Sequence, residues 1–110
     1  MKKLLILLSL TTISQILMAS DVSVADVEAG EEKFKSTCVA CHGQNAERKA
    51  LGISQVIANI GDTDKIKELI TNVRDNGASL GKNMAMVNTV SGLSDEEILN
   101  LSAYVATLKK

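Results

Sequence analysis

Apolar side chains recur at spacings of three and four residues in three separate stretches of the chain, a pattern that indicates helices with one buried face. In chain order these positions are Val27, Gly30, Phe34 and Cys38, then Ile66, Leu69, Ile70 and Val73, then Ile98, Leu101, Val105 and Leu108. A shorter helix is expected between residues 53 and 60. No stretch alternates apolar and polar residues for long enough to predict a strand, so the sequence predicts a small all-α domain.

Capping residues mark the ends of these helices. Asp26 and Asp62 precede the first and second helices, where a short carboxylate can accept hydrogen bonds from the free amides. Ser94 begins a Ser-x-x-Glu capping box ahead of the third helix. Asn76 and Gly77 are expected to end the second helix in the left-handed conformation that these residues tolerate.

Long polar segments separate the predicted helices. Residues 43–52 and 78–83 are rich in glycine and in polar or charged side chains, so both are expected to be loops. Loops of this length around so few helices leave room for a bulky apolar group in the middle of the domain.

The N-terminus has the organisation of a secretory signal peptide. Two lysines precede an apolar run, polar residues follow, and Ala19 offers a cleavage site. Cleavage after Ala25 is the alternative, because Leu17 is larger than the residue usually found three positions before the cut. The apolar run is shorter than the ~20 residues that a membrane-spanning helix needs. We therefore predict a signal peptide at residues 1–19 and a mature domain at residues 20–110, with a retained N-terminal anchor as the competing interpretation.

Composition excludes some classes of partner. The chain has 110 residues, with 12 Lys and Arg against 13 Asp and Glu, one Tyr, one Phe and no Trp. It therefore offers neither the basic surface nor the aromatic platform with which proteins bind nucleic acid. A chain of this length forms a single domain with a modest core, which an additional group would help to stabilise.

The pentapeptide Cys38-Val39-Ala40-Cys41-His42 is the attachment motif of haem c. On a helical turn, residues three apart lie on one side, so both thiols can reach the two vinyl groups of one porphyrin. A secretory leader supports this interpretation, because haem c is attached on the exported side of the membrane. We predict one covalently bound haem c, with Cys38 and Cys41 as thioether attachments and His42 as the proximal iron ligand.

Other chemistry fits the same residues less well. A zinc site would need a fourth strong ligand, and the sequence has no further Cys or His. A thioredoxin-like redox pair needs a βαβ context, which the predicted helices do not provide. A disulfide across so short a loop would stabilise little.

The sixth position of the iron has fewer candidates. Because His42 is the only histidine, a second histidine ligand within a monomer is excluded, which leaves Met, Lys, a weaker group or no ligand. A thioether ligand raises the reduction potential of haem. Two methionines follow the leader, Met84 and Met86, in what we expect to be a loop before the last helix. A single methionine is often core filler, but this loop is suited to cover the haem face opposite His42.

These motifs resemble class I cytochromes c, in particular the small bacterial cytochrome c-553 group. The likeness covers residues 26–110 and includes the attachment motif, the methionine segment and the Leu-Ser-Asp-Glu-Glu-Ile sequence that begins at Leu93. It implies three main helices with short helical turns and loops wrapped around one haem. It also implies that the first and last helices cross where a glycine allows close approach. The residues at the matching positions are Gly30, Phe34, Leu101 and Tyr104.

The resemblance also implies which side chains surround the haem. In similar proteins the ligating methionine lies eight residues before the serine of the Leu-Ser-Asp-Glu segment, which selects Met86 here and leaves Met84 as the fallback ligand. The chain lacks the proline that often follows the histidine, and we expect a backbone carbonyl near residues 51–53 to accept the His42 Nδ1 hydrogen bond instead. Candidates for the propionates are Arg74, Asn76 and Asn83. Candidates for the apolar haem pocket are Ile57, Ile60, Leu69, Val73 and Val90.

With His42 and Met86 both on the iron, no position remains for a substrate, so the resemblance implies an electron carrier and not an enzyme. We expect a periplasmic monomer that passes one electron from a quinol-oxidising membrane complex to an oxidase, a peroxidase or a reductase. The alternatives are a haem-based enzyme or a gas or redox sensor with a displaceable sixth ligand, and an anchored haem subunit of a larger complex. Five basic side chains either guide the docking of such a partner or are ordinary solvated charges. They are Lys33, Lys35, Arg48, Lys49 and Lys82.

Overall fold

The computed structural model describes residues 24–52 and 54–110, and the signal peptide expected at residues 1–19 lies outside this part of the chain. The helices in chain order are α1 Val27–Thr37, α2 Val39–His42, α3 Thr63–Asn76, α4 Met84–Val90 and α5 Asp95–Ala106. The described residues form no strand, which confirms the all-α prediction. None of the helices in this part of the chain has the length and apolar character needed to cross a membrane.

The predicted caps begin all three long helices. Asp26 and Asp62 each accept a hydrogen bond from the backbone amide three residues later. The capping box of α5 is complete, because Ser94 Oγ accepts from the Glu97 amide and Glu97 Oε1 accepts from the Ser94 amide, both at 3.0 Å. These three predictions are confirmed.

α1 crosses α5 at Gly30. A Cβ atom on this residue would overlap the backbone carbonyl of Asn100, so the two helices can lie this close only with glycine at the crossing. The rings of Phe34 and Tyr104 pack beside it, with centroids 5.5 Å apart and planes inclined by 55°. The Asn100 side chain accepts a hydrogen bond of 2.8 Å from the amide of Asp26. The close crossing that the resemblance implied is confirmed.

The core lies where α1, α3 and α5 meet. Its buried members are Phe34, Ala46, Ala58, Ile66, Val90, Leu93, Ile98, Leu101, Tyr104 and Val105. Ser102 is also fully buried, and its hydroxyl donates to the carbonyl of Ile98 at 2.7 Å, so no buried hydroxyl is left unsatisfied there. Val27, predicted on the buried face of the first helix, is exposed because it lies in the first turn, before α1 reaches the crossing.

The region between α2 and α3 forms short 3-10 turns. These turns span Ala50–Gly52 and Ile57–Asn59. The second turn lies where the sequence predicts a short helix, between residues 53 and 60. The amide of Ala58 donates to the carbonyl of Ala46 at 3.1 Å, and both side chains are buried. This bond ties the second turn to the loop that follows α2.

α3 does not end as predicted. Gly77 follows it with φ −57°, a right-handed conformation and not the left-handed one. Glycine is required there for space, since a Cβ atom would overlap the carbonyl of Val73 and lie 2.8 Å from a methyl group of Val87 on α4. The left-handed residue comes later, at Gly81, whose φ is +71°. Gly77 therefore permits close contact between α3 and α4.

The methionine segment, predicted as a loop, is helical. Asn83 caps α4 by accepting a hydrogen bond of 2.9 Å from the amide two residues later. Met84 and Met86 lie in the first turns of this helix, and Val87 and Val90 form its buried side. The loop prediction is wrong here because an asparagine cap and good helix formers are enough to start two helical turns against a packed surface.

Candidate haem-binding site

The predicted attachment residues lie on one helical turn that continues from the end of α1. The carbonyl of Cys38 accepts hydrogen bonds from the amides of Cys41, at 3.3 Å, and His42, at 2.9 Å. This turn directs the two cysteine side chains to the same side of the chain. Cys38 is half-buried and Cys41 is exposed, and the two do not form a disulfide with each other.

The thiolate form of Cys38 is disfavoured by its surroundings. Burial, with a smaller contribution from Cys41, raises its pKa to about 11. A thiol in this state stays protonated at neutral pH, whereas redox and catalytic cysteines depend on a thiolate. This argues further against a thioredoxin-like function for the pair.

His42 is buried, with 6% of its surface exposed. Burial lowers the pKa of its imidazole, which favours the neutral form that binds metals. Its Nδ1 has no hydrogen-bond partner among the described residues. The expected carbonyl acceptor near residues 51–53 stays a prediction, because Ile53 lies outside the described residues.

The loop after His42 folds back and closes over α2. The carbonyl of His42 accepts a hydrogen bond of 2.9 Å from the amide of Arg48. Gly43 has a φ of +88°, and a Cβ atom on it would overlap the carboxylate of Glu47. Ala46 is fully buried with a φ of +56°, an uncommon conformation for alanine that its burial holds in place. The loop thus fixes the backbone that presents the imidazole.

The two candidate methionines differ in their surroundings. Met84 is 54% exposed. Met86 is half-buried and packs against the hydrophobic core, as Cys38 also does. Residues two apart on a helix point to different sides, so the two sulfurs cannot both face the core.

Apolar side chains on one side of the domain remain partly exposed. Leu69, Ile70 and Val73 follow one side of α3, and Leu69 is 42% exposed. Ile57 and Ile60, at the second 3-10 turn, are half-buried, whereas the side chains between α1 and α5 are closed off from solvent. Val90, also expected to line the haem pocket, is buried in the core. A large apolar cofactor would cover the exposed surface, so these residues fit a haem.

The side chains considered for the propionates make other contacts. Arg74 donates to two carboxylates and to a backbone carbonyl ahead of α5. The Asn76 amide donates to a neighbouring asparagine on α3, and the Asn83 carbonyl caps α4. The Arg74 contacts use most of its N–H donors and make it a bridge between helices.

Two of the five basic side chains considered for docking are paired with carboxylates. Lys33 Nζ lies 2.7 Å from Glu97 across α1 and α5. Lys35 Nζ lies 2.9 Å from Glu31 within α1. The other three of these five, Arg48, Lys49 and Lys82, are exposed and form no ion pair with the described residues.

The chain matches the cytochrome c family model over residues 27–109. It is 33% identical to a cytochrome c-553 from Helicobacter pylori, over 99% of this chain and 100% of the relative. It is 28% identical to a cytochrome c-553 from Nitratidesulfovibrio vulgaris, over 98% of this chain and 100% of the relative. It is also 33% identical to a cytochrome c-554(548) from Halomonas halodenitrificans, over 74% of this chain and 95% of the relative. No solved structure matches the chain significantly. The chain therefore belongs to the cytochrome c family and is a mono-haem electron carrier whose cofactor is covalently bound haem c.

Proposed function

We propose that this cytochrome c is a periplasmic electron carrier that takes one electron from a quinol-oxidising membrane complex and gives it to an oxidase, a peroxidase or a reductase. The main support is the attachment motif, which lies on a helical turn beside the buried imidazole of His42. The leader-like sequence at residues 1–19 supports export, and the cytochrome c-553 relatives match almost the whole chain.

We assign Cys38 and Cys41 to the two thioether bonds, His42 to the proximal position of the iron and Met86 to the sixth position. Met84 is the fallback ligand. The haem supplies an iron that can gain and lose one electron. The half-burial of Met86 against the core supports its assignment over Met84, which is largely exposed.

The chain contributes to electron transfer by holding both axial ligands in an apolar surrounding. His42 is kept neutral and buried by the loop that follows it, and Met86 is supported by the core beneath α4. The apolar side chains of α3 would exclude water from the bound haem, and a thioether ligand in surroundings of low polarity would raise its reduction potential. With His42 and Met86 both bound to the iron, no coordination position would be left for a substrate.

Partner proteins are expected to bind this monomer transiently. Three exposed basic side chains, Arg48, Lys49 and Lys82, follow the attachment motif or precede the methionine helix. Such charges steer encounter with an acidic partner and act mainly on the association rate, so docking should weaken as salt concentration rises.

The ligand assignment is tested by a redox titration of the oxidised holoprotein followed by its visible spectrum. The weak far-red band of a methionine–iron bond is expected in the wild type. Met86→Ala should abolish this band and lower the reduction potential, because a soft thioether ligand is lost. Met84→Ala is the matched control and should change neither. If Met84→Ala lost the band and Met86→Ala kept it, Met84 would be the ligand. Ready binding of carbon monoxide by the wild type would favour an enzyme or a sensor.

The location is tested by cell fractionation and N-terminal sequencing of the haem protein. We expect it in the periplasmic fraction with Ser20 as its first residue, or Asp26 if the alternative cleavage is used. Haem protein recovered from the membrane fraction with residues 1–19 still attached would instead support an anchored subunit.

A further inference from the structure

We propose that Arg74 is a positioning residue for the sixth iron ligand, which it supports by fixing the end of the helix that carries Met86. This inference rests on the proposed assignment of Met86. Arg74 touches neither the methionine nor any other assigned haem-binding residue in the bonds described above, so its effect is transmitted through the backbone of α4 and the turn that follows it.

The guanidinium of Arg74 joins three parts of the fold. It lies in the last turn of α3, with 17% of its side chain exposed. Its Nη1 donates to the carbonyl of Leu93 at 3.0 Å, in the turn between α4 and α5. Its Nη2 lies 2.8 Å from Asp95 on α5, and its Nε donates to Asp75 at 2.8 Å. Because the guanidinium is planar and rigid, these bonds fix it in one orientation.

The carbonyl of Leu93 is the acceptor that matters most for α4. The Asp95 side chain is 90% exposed, and Asp75 is on the same helix as Arg74, so the two carboxylates mainly orient the guanidinium. Leu93 is buried, and its amide donates to the carbonyl of Val90, the last residue of α4, at 3.0 Å. A displacement of Leu93 therefore moves the end of α4.

α4 depends on such support because it has only seven residues. A helix of two turns is not stable alone in water, and tertiary contacts determine where it lies. On the side of α3, Val87 packs against Gly77. At its end, the Arg74 bond holds the turn that contains Leu93. Met86 immediately precedes the first of these contacts, on the same short helix that the second contact holds at its end.

Loss of the Arg74 bond should raise the fraction of molecules in which α4 has moved away from the iron. Local displacement of a short element costs less free energy than global unfolding, and its population depends on the contacts that hold it. An added ligand that binds iron only when the methionine has left would then bind with a higher apparent affinity, because more molecules have a vacant sixth position.

Imidazole titration of the oxidised holoprotein measures this population. In Arg74→Gln we expect the apparent imidazole affinity to rise about tenfold, because that is the change in equilibrium constant expected when one hydrogen bond from a charged donor is lost. The far-red methionine band should also disappear at a lower temperature than in the wild type, before helix content is lost. Lys33→Gln is the matched control, since it breaks an ion pair between α1 and α5 that does not contact α4, and it should leave the imidazole affinity unchanged.

Arg74→Lys serves as a second variant that keeps the positive charge. A lysine cannot form the same planar fork, so its imidazole affinity should also rise, by less than in Arg74→Gln. The inference would be overturned if both variants bound imidazole with the affinity of the wild type, or if Arg74→Lys did so when Arg74→Gln does not fold. The assignment of Met86 would not be affected by that result. A far-red band that survives Met86→Ala would overturn the ligand assignment first and the inference with it.

Discussion

At Gly30 the absence of a side chain determines how the first and last helices meet. The space that a Cβ atom would need is taken by the carbonyl of Asn100, and the crossing places Phe34 against Tyr104. Because the obstructing atom belongs to the backbone of α5, it cannot rotate away as a flexible side chain would. The whole helix would have to shift, which would open the aromatic contact beside it.

Gly30→Ala should therefore lower the free energy of unfolding by about 3 kcal/mol, the upper part of the range for overpacking a core. Gly92→Ala is the matched control, because nothing lies within 4 Å of the Cβ position there and its φ is not in the left-handed region. It should change stability by less than about 0.5 kcal/mol. Thermal and denaturant unfolding of the holoproteins measure both values. Equal stability of the two variants would show that the crossing can adjust.

Residue roles that depend on local chemistry could be predicted from the sequence, and those that depend on distant contacts could not. The caps Asp26 and Ser94 bond to amides within the next turn, and both were predicted. Glycine at position 77 was assigned a left-handed turn, whereas its reason is the approach of Val87, ten residues later. Arg74 was considered for the propionates because nothing in its neighbourhood indicates a bond to Leu93.

The elements differ in how far their own sequence specifies them. α5 begins with a complete capping box and has three acidic residues in its first turn, where they interact favourably with the helix dipole. α4 has a single asparagine cap and no acidic residue in its first turn. α5 is therefore defined by local signals, and α4 depends on the surfaces against which it packs.

Ser94→Ala should lower the free energy of unfolding by about 1 kcal/mol, because it removes the acceptor for the Glu97 amide. Ser91→Ala is the control from the preceding turn, since that exposed hydroxyl donates to the carbonyl of Asn88 and caps no free amide. Its effect should stay within about 0.5 kcal/mol. Denaturant unfolding of both variants measures the difference. An equal loss in the two would mean that the box contributes little.

The three long helices could be predicted because each has a cap and a spacing of three or four between apolar residues. α4 was missed because seven residues give only two buried positions, Val87 and Val90, which is too few for a periodic pattern. Apolar spacing also predicted burial for Leu69, which the polypeptide alone leaves 42% exposed. This exposure is consistent with the expected position of Leu69 against the haem.

The molecule as a whole has a closed side and an open side. Between α1 and α5 the aromatic and aliphatic side chains are buried, and the ion pair from Lys33 to Glu97 crosses the outside of this contact. Along α3 the apolar side chains of Leu69, Ile70 and Val73 are partly exposed, and we expect the haem to cover them. The polypeptide therefore supplies the stability of the first side, and we expect the cofactor to complete the second.

The ion pair between Lys33 and Glu97 should make part of this stability depend on pH. The hydrogen bond from Lys33, followed by that from the Ser94 amide, lowers the pKa of Glu97 below its ordinary value of 4.5. A carboxylate with a lowered pKa in the folded state stabilises the fold above its unfolded pKa, and this contribution is lost as pH falls through the folded value. Stability should therefore decrease below pH 4.5.

Lys33→Gln removes the main cause of that shift. Its stability should be lower than that of the wild type at neutral pH, and the difference should shrink as pH falls below 4.5. Lys67→Gln is the control, because this exposed lysine forms no ion pair with the described residues, and its difference from the wild type should not vary with pH. Thermal unfolding from neutral to acidic pH measures these differences. A constant gap between Lys33→Gln and the wild type would contradict the role of the pair.

The hydrogen bond between the amide of Asp26 and the side chain of Asn100 joins positions that are 74 residues apart. A chain emerges from synthesis N-terminus first, so this bond has no partner until almost all of the polypeptide is available. Closing so long a loop also slows folding. Cys38 and Cys41 emerge long before Asn100, and we expect their thiols to be accessible during that interval. If the two thiols attach the haem as proposed, we expect a biogenesis enzyme to act on them before the last helix docks and partly buries Cys38.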